Sequence, residues 1–382
     1  MPKVRVLIVD DSAFIRRVLS DQITADGDLE VVGQAPNGRL ALQRVEQLRP
    51  DVVVLDVEMP ELDGLATLAE LRKRDARLPV IMFSALTEPA AAATVDALLL
   101  GATDYVTKPT AADGADRIRD ELIPKIKAAC GAARTGFGAA PPRHQPTLQA
   151  GQAACLALAS PHQGTARGAA FGRSLWLDPA PARPEILVIG VSTGGPNALA
   201  ALFAGLPASF PIPIALVQHM PPMFTRILAE RLSQSSKIAV HECTEGMVPR
   251  AGQAYVAPGD HHMRLGRQGP AVTLHLNRDS PENACRPAVD VLFRSAAEVY
   301  RSRVLALVLT GMGRDGLRGA QTIREAGGQI WAQDEATSVV WGMPGAVVRE
   351  GLTERVLPLG QIGPEIVRRV SRHPSDSRPV RP

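Results

Sequence analysis

The sequence predicts an α/β protein built from two doubly wound parallel-sheet domains that are joined by a flexible linker. Short apolar runs alternate with amphipathic helical patterns over residues 1–126, and the same alternation returns over residues 184–371. Between them, residues 127–183 are dominated by Ala, Gly and Pro and lose the apolar periodicity. Such alternation indicates strand–helix–strand units around a parallel sheet, and its loss indicates a tether. We expect residues 372–382 to form a disordered tail.

The composition narrows the class of protein. The 382 residues carry a formal net charge of +3 and only 4% are aromatic, which argues against nucleic-acid binding. Four cysteines show neither a CxxC pair nor metal-ligand spacing, which favours free thiols in a reducing cytoplasm: Cys130, Cys155, Cys243 and Cys285. No signal peptide is visible and no apolar run approaches membrane-spanning length, so we expect a cytoplasmic protein without direct membrane insertion.

In the first domain, five apolar runs predict strands with helices between them. The predicted strands are Val4–Val9, Leu29–Val32, Val52–Leu55, Val80–Phe83 and Tyr105–Val106. The predicted helices include Ala13–Leu19, Gly38–Leu48, Thr67–Arg74 and Ala90–Leu100. Because ligands of a doubly wound sheet gather at the carboxyl ends of its strands, the residues that follow each strand are the candidates for function.

Polar residues stand at the end of four of these strands. They are Asp10 and Asp11 after the first, Asp56 after the third, Ser84 after the fourth and Lys108 after the fifth. Three carboxylates at one sheet edge repel each other unless a hard cation lies among them, and oxygen ligands suit Mg²⁺. Helix capping would explain one such Asp but explains all five positions poorly.

These residues and their neighbours resemble the receiver domain of bacterial response regulators over about a third of the chain. The matching positions are Asp10-Asp11, Asp56 to Pro60, Asp63-Gly64, Ser84 and Lys108-Pro109. The resemblance implies that a histidine kinase phosphorylates Asp56. It also implies that Asp10, Asp11, Asp56 and the Glu58 carbonyl hold Mg²⁺ for this phosphorylation, that Lys108 contacts the phosphoryl oxygens, and that Ser84 and Tyr105 are the switch residues.

In the second domain, the run Glu185–Ile189 predicts a buried strand that ends in a turn of small residues, Gly190 to Gly195. Further predicted strands are Ile212–Val217, Ala254–Val256, Val272–Leu276, Val304–Leu309 and Gln329–Gln333, and Pro287–Val299 is a predicted helix. Ser192 lies on the tight turn into the helix that follows the first of these strands. Two interpretations are open. Ser192 either caps the helix or helps to bind a phosphate group at the turn, or it is a nucleophile with backbone N–H donors beside it.

Ser192, His219 and Asp315 share one kind of position, just beyond the carboxyl end of a predicted strand. In an open parallel sheet such ends form one crevice. Ser, His and Asp together can supply a nucleophile, a general base and a residue that orients the base. The pattern favours His219 over His262, which lies in the predicted loop of residues 257–265 and remains an alternative. Asp290 falls inside a predicted helix and is the weaker third member.

A second resemblance covers nearly all of residues 185–350, to the catalytic domain of chemotaxis protein-glutamate methylesterases. The matching motifs are Gly190 to Pro196, Gln218 to Pro221, Phe224-Thr225, Ala257 to Gly259, His262-Met263, Arg286-Pro287, Val289-Asp290, Thr310 to Gly313 and Asp315-Gly316. With the receiver, they match the whole enzyme domain for domain. The departures are the long linker and Cys285, which precedes Arg286.

This resemblance implies a Rossmann-like esterase domain in which Ser192 is the nucleophile, His219 the base and Asp315 its partner. Thr193 and the backbone N–H of Met312 match the positions that line the oxyanion site. The implied activity is hydrolysis of glutamate γ-methyl esters, and deamidation of glutamines, on methyl-accepting chemoreceptors, without a cofactor for hydrolysis. The implied partners are these receptors and a chemotaxis histidine kinase, and the unphosphorylated receiver is expected to cover the Ser192 crevice.

The alternative class is a non-enzymatic regulator, in which a receiver is fused to an inactive hydrolase domain that binds a partner when phosphorylated. The presence of Ser192, His219 and Asp315 together argues against it.

Overall fold

Two parallel sheets flanked by helices form the protein, as the alternation predicts. The computed structural model describes residues 2–108, 114–134 and 182–371. The first sheet has five strands and the second has seven, and every pairing within them is parallel. The predicted fold class is therefore confirmed.

The first sheet is built from the strands that the sequence predicts, in the spatial order β2-β1-β3-β4-β5. Its strands are β1 (Val4–Val9), β2 (Leu29–Ala35), β3 (Val52–Asp56), β4 (Val80–Ser84) and β5 (Asp104–Thr107). Its helices are α1 (Ala13–Ala25), α2 (Gly38–Leu48), α3 (Gly64–Arg74), α4 (Glu88–Leu99), α5 (Gly114–Arg117) and α6 (Ile123–Arg134), with a π-helical turn, Ile118–Leu122, between the last two.

Local sequence explains why these elements begin where they do. The strands β3 and β4 are buried along their whole length, as expected for parallel strands covered by helices on both faces. Four helices begin at a side chain that accepts a hydrogen bond from the first turn, and these caps are Ser12, Asn37, Asp63 and Thr87. The caps place the starts of the helices at the carboxyl edge of the sheet, where the candidate residues lie.

The second sheet has the order β14-β13-β12-β6-β7-β9-β8. Its strands are β6 (Ile186–Val191), β7 (Ile214–Gln218), β8 (Ala239–Glu242), β9 (Gln253–Val256), β12 (Val304–Val308), β13 (Gln329–Gln333) and β14 (Arg355–Leu357). Two further strands, β10 (His262–Gln268) and β11 (Ala271–Asn277), form a separate antiparallel hairpin. Its helices are α7 (Gly195–Ala204), α8 (Phe224–Ser235), α9 (Val289–Tyr300), α10 (Leu317–Glu325), α11 (Met343–Arg349) and α12 (Leu359–Ser371), with a 3₁₀ turn at Arg301–Arg303.

The strand order of the second sheet reverses between β6 and β12. After β6 the chain adds strands on one side, and from β12 onward it adds them on the other. The two loops that leave these neighbouring strands therefore diverge, and such a reversal opens a crevice at the carboxyl edge of the sheet. Ser192 directly follows β6, and His219 directly follows the adjacent strand β7.

The structure departs from the sequence predictions at several elements. Residues 257–265 are predicted as a loop, but β10 begins at His262 and pairs with β11. The strands β8 and β14 are short and are not predicted. The helix α6 continues to Arg134, so the expected domain boundary at residue 126 falls inside a helix. The expectations for a linker beyond Arg134 and for a tail at residues 372–382 lie outside the described residues.

The two sheets pack together through helices. The helix α4 of the first sheet contacts α7 and α8 of the second. The apolar contacts continue across this boundary, because buried residues of both sheets belong to one connected cluster that includes Tyr105 and Phe224. Within the described residues, none of the helices is both long enough and apolar enough to span a membrane.

Candidate active site

The turn after β6 holds Ser192 in place from both sides. The N–H of Ser192 donates to the Thr310 carbonyl at 3.0 Å, and Gln218 Nε2 donates to the Ser192 carbonyl at 3.0 Å. Gly194 begins α7 in the left-handed conformation with φ of 77°, and a Cβ there would lie 2.6 Å from Val339. Glycine is therefore required at position 194 both for its backbone angle and for the close approach of the next chain segment.

Free backbone donors surround the Ser192 side chain. Within the described part of the chain, the N–H groups of Thr193 and Met312 donate to no protein acceptor, and Ser192 Oγ has no hydrogen-bond partner. The loop that carries Met312 approaches closely, since a Cβ on Gly311 would lie 2.9 Å from Ser192 Cβ. Unpaired N–H groups beside a hydroxyl are the arrangement that stabilises a developing oxyanion.

His219 and Asp315 form a direct pair at the same edge of the sheet. His219 Nε2 is 2.8 Å from Asp315 Oδ2, so Nε2 carries the proton that faces the carboxylate and Nδ1 is the second ring nitrogen. The sequence prediction that these two residues meet agrees with this geometry. A hydrogen bond between Ser192 and His219 does not occur among the described residues.

Asp315 is buried but well supplied with donors. Its carboxylate accepts from the N–H groups of Val289 at 2.7 Å, Asp290 at 3.1 Å and Gly316 at 2.9 Å, and from Asn283 Nδ2 at 2.9 Å. Burial opposes the charged form, but the hydrogen bond and charge of His219, with the backbone donors, hold the pKa of Asp315 below its usual value. Asp315 therefore stays ionised and orients His219.

The pKa of His219 is shifted in the opposite direction. Burial disfavours the imidazolium, but the hydrogen bonds with Asp315 and Cys285 outweigh it and raise the pKa of His219 to about 9. The Cys285 thiol is 3.7 Å from His219 Nδ1, on the ring nitrogen that Asp315 leaves free.

The alternative base His262 lies away from this chemistry. It is fully buried at the start of β10, where Nδ1 accepts from the Ala288 N–H at 3.2 Å and Nε2 is 3.2 Å from the Ser280 carbonyl. Both ring nitrogens are thus satisfied by backbone groups, which gives His262 a structural role.

Two residues near the site are not identified as functional from the sequence. Asn283 donates to both Asp290 and Asp315 at 2.9 Å, and Cys285 contacts His219. Both belong to a tight loop in which Asn283 and Ala284 have positive φ angles of 53° and 61°. The only sequence signal is the position of Cys285 next to Arg286, where the chain departs from the family that it resembles.

A second cluster lies at the carboxyl edge of the first sheet. The Lys108 ammonium is 2.7 Å from Asp56 Oδ2 and 3.0 Å from Asp10 Oδ2. Carboxylate oxygens of Asp10, Asp11 and Asp56 all lie within 4.8 Å of one another. Burial raises the pKa of Asp56 to about 6, the Asp10 charge adds to this shift, and Lys108 opposes it. The cluster holds more negative charge than one lysine balances.

The two residues expected to act as switches are packed away from Asp56. Thr94 Oγ1 donates to Ser84 Oγ at 2.6 Å, and Ser84 Oγ donates to the Ala90 carbonyl at 3.3 Å, which ties Ser84 to α4. Tyr105 is buried, and its ring stacks on Phe224 with centroids 4.8 Å apart and an angle of 16°. Burial raises the pKa of Tyr105 well above its ordinary value.

The chain thus combines an acidic receiver-type cluster with a hydrolase-type crevice. Residues 6–119 match the response regulator receiver domain, and residues 187–366 match the CheB methylesterase family. A protein-glutamate methylesterase/protein-glutamine glutaminase of Trichodesmium erythraeum is 47% identical over 374 residues, covering 97% of this chain and 100% of the relative. A protein of the same name from Nocardioides sp. is 47% identical over 376 residues, covering 97% of each chain.

A solved structure is also similar. The crystal structure of the Thermotoga maritima CheB methylesterase catalytic domain is 43% identical, with a TM-score of 0.48, and covers 49% of this chain and 99% of that one. The two relatives match this chain over nearly its full length. The chain therefore belongs to the family of protein-glutamate methylesterases/protein-glutamine glutaminases, which join a receiver domain to a CheB methylesterase domain.

The raised pKa of His219 predicts an alkaline activity profile. A general base must be neutral to accept a proton, so with His219 in that role ester hydrolysis should increase as the pH rises toward its pKa of about 9. Asp315→Asn removes the main raising interaction, so the inflection should move to lower pH while the rate falls by up to about 10⁴-fold. The pH dependence of kcat/KM for both proteins tests this, and an unshifted inflection in Asp315→Asn would contradict the assignment.

Asn283 is predicted to position Asp315. Asn283→Gly keeps the left-handed backbone conformation but removes the amide that separates two buried carboxylates, so kcat should fall by roughly tenfold, equivalent to about 1.4 kcal/mol. Asn277→Gly, which removes a half-buried amide at the end of β11 that accepts from the Asp279 N–H, is the control. Steady-state kinetics and thermal unfolding of both variants separate a loss of positioning from a loss of fold, and an unchanged kcat in Asn283→Gly would rule the role out.

Proposed function

We propose that this protein hydrolyses glutamate γ-methyl esters, and deamidates glutamine side chains, on methyl-accepting chemoreceptors, and that phosphorylation of its receiver domain activates it. The observation that carries the proposal is the His219–Asp315 pair beside Ser192 and two unpaired backbone N–H groups. Two relatives that match this chain over nearly its whole length are named for this activity.

The chemistry follows from the positions of the groups. His219 Nδ1 accepts the proton of Ser192 as Oγ attacks the ester carbonyl, and Asp315 stabilises the imidazolium through Nε2. The N–H groups of Thr193 and Met312 stabilise the oxyanion. The imidazolium then protonates the departing methanol, and His219 next activates the water that releases the glutamate. With a glutamine side chain the leaving group is ammonia, and the other steps are the same.

The crevice must first bring Ser192 Oγ and His219 Nδ1 into hydrogen-bond contact. Both side chains follow the ends of adjacent, paired strands, which keeps their backbones close. Catalytic hydrogen bonds are often loose without substrate and tighten in the complex.

In the receiver, Asp56 is the proposed phosphoryl acceptor and a histidine kinase its donor. The residues present fit Mg²⁺, because three oxygen-donating carboxylates converge and the one Lys108 ammonium beside them does not balance their charge. Asp10, Asp11, Asp56 and the Glu58 carbonyl would hold the ion, which neutralises charge on the phosphoryl group when bound. Lys108, whose ammonium is 2.7 Å from Asp56 Oδ2, would contact the phosphoryl oxygens.

The proposed control acts through contacts between the receiver and the crevice. Asp104 of β5 accepts from the Thr193 hydroxyl at 2.6 Å, so the receiver directly contacts the residue after the nucleophile. Asp104 also accepts from Lys125 at 3.1 Å, which fixes its carboxylate. A receptor helix could not reach Ser192 while this contact persists, because Thr193 is buried beneath the receiver.

Charged pairs hold the same face closed. Arg231 of α8 forms two hydrogen bonds to Asp96 of α4, at 2.6 Å and 3.1 Å, and Arg226 pairs with Glu88. Phosphorylation at Asp56 would draw Ser84 away from α4 and change the packing of Tyr105 on Phe224. We propose that these changes loosen the closed arrangement, and that the protein meets kinase and receptors in the cytoplasm, where its thiols stay reduced.

Loss of the nucleophile should abolish turnover. Ser192→Ala should fold normally yet lose ester hydrolysis by several orders of magnitude, since the loss of one triad member removes nearly all catalysis by the unit. Ser302→Ala is the matched control, because residue 302 precedes β12 and lies at the opposite edge of the sheet. Methanol release from methylated receptor by the two purified proteins is the measurement, and substantial release by Ser192→Ala would rule out Ser192 as the nucleophile.

The closed arrangement should depend on the Arg231–Asp96 pair. Each single reversal, Arg231→Asp or Asp96→Arg, should raise the rate of the unphosphorylated protein roughly fivefold, equivalent to about 1 kcal/mol for a partly exposed pair. The double reversal should restore the low rate, because it rebuilds the pair. Receptor demethylation with and without a small phosphodonor measures both states. If all four proteins have the same basal rate, this face does not hold the enzyme closed.

A further inference from the structure

A thiol lies next to the proposed catalytic base. The loop of Glu282 and Cys285, joined by two backbone hydrogen bonds of 3.0 Å and 2.9 Å, turns the chain back on itself before Arg286. This turn places the partly exposed Cys285 thiol 3.7 Å from His219 Nδ1. Asp315 contacts the opposite ring nitrogen, and ligand atoms of the carboxylate, the imidazole and the thiol all lie close to one another at this edge of the site.

We propose that Cys285 and His219 together bind Zn²⁺, with Asp315 orienting the imidazole, and that the bound metal reversibly inhibits the esterase. In tetrahedral zinc sites the Zn–S distance is about 2.3 Å and the Zn–N distance about 2.0–2.1 Å, so sulfur and nitrogen are about 3.6 Å apart. The observed sulfur–nitrogen separation of 3.7 Å is close to this spacing.

The donor chemistry selects this metal. A thiolate and an imidazole suit Zn²⁺, whereas Mg²⁺ prefers oxygen ligands and would remain at the carboxylates of the receiver. Metal-binding histidines commonly donate their other N–H to a carboxylate, and Asp315 already accepts from Nε2 at 2.8 Å. Potential ligand atoms of His219, Cys285 and Asp315 all lie within 4.8 Å of one another. Solvent completes the coordination.

Zinc binding and the loss of esterase activity both involve the lone pair of His219 Nδ1. Zn²⁺ forms bonds to Cys285 Sγ and to the Nδ1 lone pair of His219, and the thiol proton passes to solvent. That lone pair is the one that takes the proton of Ser192 in the proposed function, on which the inhibitory effect therefore rests. A chelator that removes the ion returns the lone pair and the activity.

Cobalt substitution tests the site without relying on catalysis. Full-length protein carrying Cys155→Ser, stripped of metal with a chelator, is titrated with Co²⁺ and followed by its thiolate-to-cobalt charge-transfer absorption in the near ultraviolet. The test variant carries Cys285→Ser in addition to Cys155→Ser. The control carries Cys243→Ser in addition to Cys155→Ser, because Cys243 is buried at another place in the fold. Competition by Zn²⁺ for bound Co²⁺ then gives the zinc affinity.

We expect the absorption band in the background and in the Cys243→Ser control, and its loss in Cys285→Ser. Zinc affinity should fall in Cys285→Ser by at least the roughly 10–100-fold that loss of an outer-shell partner costs. Zn²⁺ should also inhibit methanol release in the first two proteins, each measured against its own chelator-treated rate. A band that survives Cys285→Ser, or none in the background, would overturn the site. A band without inhibition would confirm the metal site and instead disprove His219 as the base.

Discussion

The arrangement of the second domain depends on the hydrogen bonds that surround the buried carboxylate of Asp315. An ionised carboxyl group in a protein interior is costly unless donors surround it. Here the donors come from the start of α9, the start of α10, the Asn283 loop and His219. Segments that are distant in sequence are thereby fixed relative to one charge. The positive ends of two helices face the same carboxylate, and their dipoles favour its ionised form.

The contact between the two domains includes residues that are proposed to act within each domain. Thr193 follows the proposed nucleophile, yet its hydroxyl is committed to Asp104 of the receiver. Tyr105 matches a switch position, yet its ring stacks on Phe224 of the esterase. The apolar contact and the hydrogen bond lie side by side on β5. If Tyr105 acts as the switch, no intermediate chain of residues is needed to connect it to the crevice, because Tyr105 itself lies at the boundary.

Both sheets could be predicted because their strands are apolar along their length and alternate with helices. The positions of Ser192, His219 and Asp56 follow from the rule that strand ends carry function. The rest depended on non-local packing. Residues 257–265 contain turn formers, but Met263 and Leu265 are buried against α9, which fixes them in a strand. The small residues after residue 126 were predicted as a linker, but those up to Arg134 belong to α6. Ala favours helix, and Cys130 is buried against the first domain. The Asn283 loop gave no periodic signal, because its shape rests on positive φ angles.

The stack of Tyr105 on Phe224 has a thermodynamic consequence for the receiver. Coupling between two sites is reciprocal, so the esterase must oppose the phosphorylated conformation as strongly as phosphorylation opposes closure. Tyr105 cannot leave its present place without giving up that stack and exposing a buried ring. Under the proposed control, a receptor that occupies the crevice would separate the two rings and remove this opposition. Under this control, the bound substrate therefore favours the phosphorylated conformation to the same extent that this conformation favours substrate binding.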